Sequence, residues 1–351
     1  MVRAAPGPIR YFRSANGGKS RALNAALRQA RGDLIWICDD DDPALPHAAE
    51  TLSGMLAAAP GAGAAAGSYR RFRDDPATGT RAESGPGYWP DLSQGSVLRH
   101  LLEDIFLFQN ATLVRRDVYD RVGPFREDLA RSIDYDMIVR LALQAPITVT
   151  DQALFWQRKH DGARGPASAR HAAAESEAVW KEADRAVFAP FRETIPLTLY
   201  TTFFEGDLSD RAGLLERACV YARRTDWAAA AEDFEAAAVA RPEVGLAPVE
   251  RAICSRAMAG KHGVAEAMTR DMRQRLVSMG RSGPVGAEIV TALARGVLWR
   301  GRAALRDRQM GTAARVAGFA LALAAAGRGR RAPGASLPLS ERQELPYVEK
   351  I

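Results

Sequence analysis

Four consecutive aspartates, Asp39 to Asp42, close a short apolar run, Leu34-Ile35-Trp36-Ile37-Cys38. Adjacent carboxylates repel, so packing them together costs stability unless a cation offsets the charge. Oxygen donors of this kind suit magnesium or manganese, which keep waters and bind through one or two carboxylates plus substrate phosphates. The cluster therefore reads as a site for a metal-bound phosphate compound. The other reading is a solvated acidic turn ending at Pro43. A second acidic pair, Asp134 and Asp136, follows Ser132-Ile133. Two residues apart on a helix, these carboxylates do not share a face, so at most one of them points at a given substrate. Alternatively, both complement the helix dipole.

The elements that must position these groups are legible in outline. Five β-prone residues followed at once by acid read as a buried parallel strand over roughly 34–38, delivering carboxylates to its C-terminal end. Upstream, Asn16-Gly17-Gly18-Lys19-Ser20-Arg21-Ala22-Leu23-Asn24 leads into helical spacing over 20–31. Ala22, Leu23, Ala26, Leu27 and Ala30 form one stripe. Gly17-Gly18 supplies a tight turn before the helix, and Gly32 stops it. With Ile9 to Phe12 as a preceding strand, the order is strand, glycine turn, helix, strand, acidic cluster. That is a βαβ unit with ligand groups at the carboxyl ends of strands, where open α/β sheets bind ligands. Ser132 caps the helix that carries Asp134. Gly18-Lys19-Ser20 also has the end of a P-loop, but the glycine needed five residues before Gly18 is Arg13, which argues against an ATPase.

These pieces resemble the family 2 glycosyltransferases, which have the GT-A fold. The resemblance rests on Asn16-Gly17-Gly18-Lys19-Ser20 with Asn24, on Gly32-Asp33-Leu34-Ile35, and on Asp39-Asp40-Asp41-Asp42 with Pro46 beyond it. It extends through Gln109-Asn110-Ala111-Thr112-Leu113-Val114-Arg115-Arg116, Val122-Gly123-Pro124-Phe125 and Ser132-Ile133-Asp134-Tyr135-Asp136. A third piece, Arg158-Lys159-His160-Asp161-Gly162-Ala163-Arg164, resembles the Arg-x-His-x-Gly segment closing the family's catalytic domain; the plain reading is a basic surface loop. The resemblance covers residues 8–165. It implies that Asp39 and Asp41 hold Mg²⁺ or Mn²⁺ on a nucleotide-sugar diphosphate, with His160 completing the metal site or touching phosphate. It implies Asp134 as catalytic base, although the family's usual Glu before that Asp is Ile133 here. Asn16, Gly18, Lys19, Asn24, Asp40, Arg158 and Arg164 are the residues expected to bind substrate.

The family's first two strands, the first ending in Pro-x-Tyr-Asn or similar and the second in acids that read the nucleobase, have no counterpart here. Ile9 aligns with the family's third strand. The expectation is an N-terminally incomplete GT-A domain with an open parallel sheet edge.

At 351 residues the chain is long enough for about two domains. The boundaries expected are 1–165 for the α/β domain, 166–208 for a helical linker packing on it, 209–331 for an all-α domain and 332–351 for a disordered tail. Trp227, Ala230, Phe234, Ala237 and Pro242 are spaced like the second helix of a tetratricopeptide repeat, with Leu214 to Arg224 as the first. A single repeat cannot bury its face alone, so a plain helical bundle is the other reading. The net charge is +6, with 48 basic and 42 acidic residues, and no basic run interleaved with aromatics argues for nucleic acid. Cys38, Cys219 and Cys254 make no metal spacing and suit a reducing cytosol. The longest apolar stretch, Val316 to Ala326, is too short to span a bilayer. Segment 311–331, ending in arginines, leaves peripheral contact with the inner membrane face open.

The function implied by the resemblance is that of an inverting, hexosyltransferase-type glycosyltransferase. It would move a sugar from a nucleotide-sugar to a carbohydrate or lipid-linked acceptor hydroxyl, in cell-surface polysaccharide or glycoconjugate synthesis. The alternative is a non-catalytic remnant or helical scaffold that binds a protein partner.

Overall fold

The computed structural model describes residues 9–75, 78, 80–159, 176–330 and 332–345. The α/β part runs α1 (Lys19–Gln29), β1 (Leu34–Trp36), α2 (Ala48–Ala58), β2 (Ala64–Asp74), β3 (Arg81–Pro86), α3 (Val97–Glu103), β4 (Thr112–Arg115), α4 (Arg116–Val122), α5 (Ile133–Gln144) and β5 (Ile147–Arg158). Helix α6 (Ser176–Thr194) leads into α7 (Leu197–Thr201), a short β6 (Phe204–Glu205), and then α8 (Ser209–Arg223) and α9 (Trp227–Val239). The chain continues through α10 (Pro248–Ala257), α11 (Arg270–Ser282), α12 (Pro284–Arg306), α13 (Met310–Ala326) and β7 (Ser340–Glu341).

The five-stranded sheet is mixed. β2 is its spine, parallel to β5 along one edge and antiparallel to β4 and then β3 along the other. β1 pairs antiparallel with β4, Leu34 opposite Arg115 and Trp36 opposite Leu113. This corrects the parallel strand expected over 34–38, because an apolar run shows burial but not direction. The strand is also shorter than its apolar run. Beyond Trp36 the partner chain turns into a 3₁₀ segment, Gln109–Ala111, so the ladder stops. Ile9 to Phe12 form no strand, and Ile9, Tyr11 and Phe12 are exposed, so the expected βαβ unit is absent among the described residues. Helix α1 buries Ser20 and Asn24 beside half-buried Leu23 and Leu27, leaving Ala22 and Ala26 in solvent. Its inner face is thus rotated from the alanine stripe.

Helix α2 covers one sheet face through Leu52 and Leu56. The other face carries α3, α4 and α5, and its core continues without a break into the helical region. Phe188 and Phe191 of α6 join that core, with Phe188 set 5.3 Å edge-to-face from Tyr135. Each such ring contributes roughly 1.5–3 kcal/mol by burial. α9 buries Trp227, Ala230, Phe234 and Ala237, the stripe read from the sequence. The helices that follow have 10, 13, 23 and 17 residues, so the region is an irregular bundle rather than an array of equal repeats. The tail expected to be disordered instead supplies β7, which pairs with β6, over part of 332–345. Glu341 is anchored there by Arg256 at 3.1 Å and Arg99 at 3.1 Å.

That anchor belongs to a buried ionic cluster joining α3, α8, α10 and β7. Arg99 and Arg256 each lie 2.7 Å from Glu103, and Arg256 lies 3.0 Å from Glu216. Burial, reinforced by the neighbouring Glu103 charge, pushes the Glu216 carboxyl above the usual carboxylate range. The folded chain holds the Glu216 proton to higher pH than an unfolded one, which releases it above 4.5, so stability from this group falls as pH rises above 4.5. Glu216→Gln mimics the protonated form. Its thermal midpoint, followed against pH, is expected to lack the decline seen in the parent over that window; parallel curves would refute the assignment.

Candidate active site

The acidic turn after β1 is held from outside itself. The buried Asn110 side chain accepts the Asp39 N–H at 2.8 Å through Oδ1 and donates to Asp42 Oδ2 at 2.8 Å through Nδ2. Its carbonyl also accepts from Trp36 Nε1 at 2.9 Å. The Arg158 N–H donates to Asp42 Oδ1 at 2.8 Å. Desolvation, with Asp41 and Asp39 nearby, still pushes Asp42 up to about 6 despite those two donors.

Opposite this turn, the glycine turn brings Lys19 to 2.6 Å from Asp39 Oδ1. Gly18 stands at the start of α1 with φ +88°, a backbone shape that glycine adopts freely and side chains rarely do. Asn16 Oδ1 accepts the Gly18 N–H at 3.2 Å and closes the turn. Between the two turns and the start of α5 lies a cleft of about 950 Å³, lined by Asn16, Lys19, Asp39, Asp42, Gln109 and Asp134 among others. Three buried oxygens on cleft-lining residues, Gln109 Oε1, Gln157 Oε1 and Ser20 Oγ, have no hydrogen-bond partner.

Asp134 and Asp136 have separate environments. Asp136 is buried between Arg140, at 2.7 Å, and Arg126, at 3.6 Å. Asp134 lines the cleft, and desolvation pushes its carboxyl up, countered by Lys19 and reinforced by Asp39. Those influences place it within electrostatic reach of the opposite wall. Ser132, at the position expected to cap α5, makes no capping bond and adopts φ +54°. Its hydroxyl instead donates to Asp184 Oδ1 of α6 at 3.0 Å. Asp184 Oδ2 lies 2.8 Å from Lys261 and 2.9 Å from His262 of the helical region. Strain of this kind persists only where surroundings over-determine it, and here the helical region supplies that restraint beside Asp134.

The residues expected from the sequence divide accordingly. Asn16, Gly18, Lys19, Asp39 and Asp134 meet in the cleft. Asp40 and Asp41 are exposed and do not line it. Arg158 directs its side chain to Asp74 and supports the site through its backbone. Asn24 does not line the cleft: it donates to the Phe125 carbonyl at 3.0 Å and to Glu127 at 3.1 Å, and accepts the Phe125 N–H at 2.8 Å. It fixes the turn between α4 and α5. His160 and Arg164 lie outside the described residues. Gln109 and Asn110 were not singled out for the site, although both sit in the motif Gln109-Asn110-Ala111-Thr112; Trp180 of α6, another lining residue, left no signal in the sequence.

Residues 1–123 match the family model described as glycosyl transferase family 2. An α/β domain followed by a helical region is the architecture expected from the sequence. Over 132 residues, 37% of the chain, the protein is 34% identical to the uncharacterized protein y4gI of Sinorhizobium fredii, and it spans 13% of that relative's length. The crystal structure of S. aureus TarS residues 1–349 in complex with UDP-GlcNAc aligns with 14% identity and a TM-score of 0.42, covering 80% of this chain and 72% of that one.

Asn24→Ala removes three hydrogen bonds from a buried site. The expected effect is a loss of roughly 1–3 kcal/mol of stability, read by chemical unfolding, with nucleotide binding by the folded protein unchanged. Weakened binding at undiminished stability would return Asn24 to the ligand site.

Proposed function

We propose that the cleft transfers a sugar from a nucleotide-sugar to an acceptor hydroxyl with inversion at the anomeric carbon, in carbohydrate or glycoconjugate synthesis. The observation that carries this reading is the meeting, within a family 2 region, of Asp39 and Lys19 on one side of the cleft with the desolvated Asp134 on the other. Phosphate chemistry needs cations, and general-base chemistry needs a carboxylate of raised basicity; the two walls supply one each.

The donor set fits Mg²⁺ or Mn²⁺. The groups that would hold the ion are hard oxygens, Asp39 and the unpartnered Gln109 amide oxygen on the cleft wall; Asp41, exposed and outside the lining, would have to turn inward to join them. No group of three or more His, Cys, Asp or Glu side chains converges among the described residues, so the ion would have to take most of its shell from diphosphate and water. The ion, when bound, would stabilise negative charge on the departing diphosphate. Lys19 lies 2.6 Å from Asp39, and were Asp39 to hold the ion the Lys19 ammonium would be available to a donor phosphate. Asp134 removes the acceptor's proton. Asp136, held by two arginines, keeps α5 in place.

With a panel of nucleotide-sugars, release of nucleoside diphosphate should require Mg²⁺ or Mn²⁺; turnover that survives excess chelator would exclude this mechanism. Asp134→Asn should lower turnover by on the order of 10²–10⁴ with donor binding little changed. The acidic limb of the parent's rate profile should lie above the ordinary carboxylate value of 3.8, since deprotonation of Asp134 is resisted by burial, and should vanish in the variant. Asp136→Asn should lower the thermal midpoint and spare turnover. If Asp136 proves the more damaging to turnover, the base is misassigned.

A further inference from the structure

The protein's positive charge is not spread evenly. Residues 289–330 contain eight arginines and one aspartate, Asp307, a net +7 against +6 for the whole chain. The remainder of the molecule is therefore close to neutral. This segment is the outer helical hairpin, the later part of α12 with α13.

The same hairpin also carries much of the exposed apolar surface. Among the described residues, Leu298, Trp299, Leu305, Met310 and Leu321 are 42–70% exposed. On α12, Arg295, Leu298, Trp299, Arg302, Leu305 and Arg306 follow one another at spacings of three, one, three, three and one, and all six are exposed. That spacing sets them on one face over three turns. α13 packs back through Val316, Phe319 and Leu323, leaving Met310, Arg315 and Leu321 outside. Asp307 pairs with Arg306 at 3.1 Å, so it offsets little of the field.

We propose that this hairpin face docks on an anionic lipid surface, α12 lying in the headgroup plane with Trp299 and the leucines sunk into the boundary. Basic residues interleaved with Trp and Leu along one face are what an interfacial helix needs, and each arginine near an anionic leaflet adds attraction. No helix among the described residues is long and apolar enough to cross a membrane, so the contact lies along the surface. A second copy of the chain is a poorer occupant, because a two-fold contact would set two strongly positive faces against each other. The inference moves the peripheral contact expected over 311–331 toward the α12 stripe, since most of the apolar side of α13 is turned inward. It does not depend on the reaction assigned to the cleft.

The test is co-sedimentation of the full chain with vesicles of phosphatidylcholine alone and with vesicles enriched in phosphatidylglycerol. The protein should pellet with the anionic vesicles, and raised salt should release it. Arg302→Glu combined with Arg306→Glu should lower partitioning by at least about tenfold, and Trp299→Ala should weaken it, both with unchanged circular dichroism. If the charge-reversed protein does not fold, the salt series on the parent decides. Equal partitioning to neutral vesicles, no partitioning to either, or a dimer in solution that Leu298→Ser dissolves would each overturn the proposal.

Discussion

The acidic turn depends on one buried amide. Four adjacent aspartates favour an open, solvated chain, in which repulsion is screened. Asn110 opposes that tendency by using both ends of its side chain, one on a backbone N–H and one on a carboxylate. Its position is set in turn by the 3₁₀ segment that ends the β1–β4 ladder. The shortness of β1 and the placement of Asp39 are therefore one event: the strand stops where its neighbour's side chain takes over the next hydrogen bond.

The helical region shares in the site's construction. The cluster around Glu103 and Arg256 ties α3 to α8 and α10, and the Lys261–Asp184–Ser132 chain carries restraint from the bundle through α6 to the start of α5. Breaking a buried ion pair leaves an uncompensated charge, a cost of several kcal/mol. Together with the core shared by the two regions, these contacts brace the cleft wall that bears Asp134.

Much of this was legible in the residues. The glycine turn, the following helix, the acidic turn and the Asp134 segment were located by composition and spacing, and the family match over 1–123 agrees with the resemblance they carried. Strand direction was not legible, since β1 looks alike in parallel and antiparallel pairing. The roles of individual polar residues were also hidden. Asn24 and Ser132 have types that suit ligand binding and capping, yet each answers to a partner far away in sequence, Phe125 and Asp184. Asp42 seemed secondary to Asp39 and Asp41, but burial makes it the perturbed carboxylate of the turn. Such outcomes depend on tertiary partners that spacing cannot name.

The split edge of β2 has a mechanical consequence. Its first residues pair with β4 and its last with β3, so Gly67 to Tyr69 lie in the crotch of a fork, where Gln109–Ala111 are wedged and Phe108 meets Tyr69 ring to ring at 4.9 Å. The opposite edge bulges at the same residues. On that β5 side a methyl group on Gly67 would stand 2.3 Å from a Leu154 methyl, so the edge is closely packed. Asn110 belongs to the segment seated in this fork, so the clamp on Asp39 and Asp42 rests on sheet geometry at residues that never see the cleft.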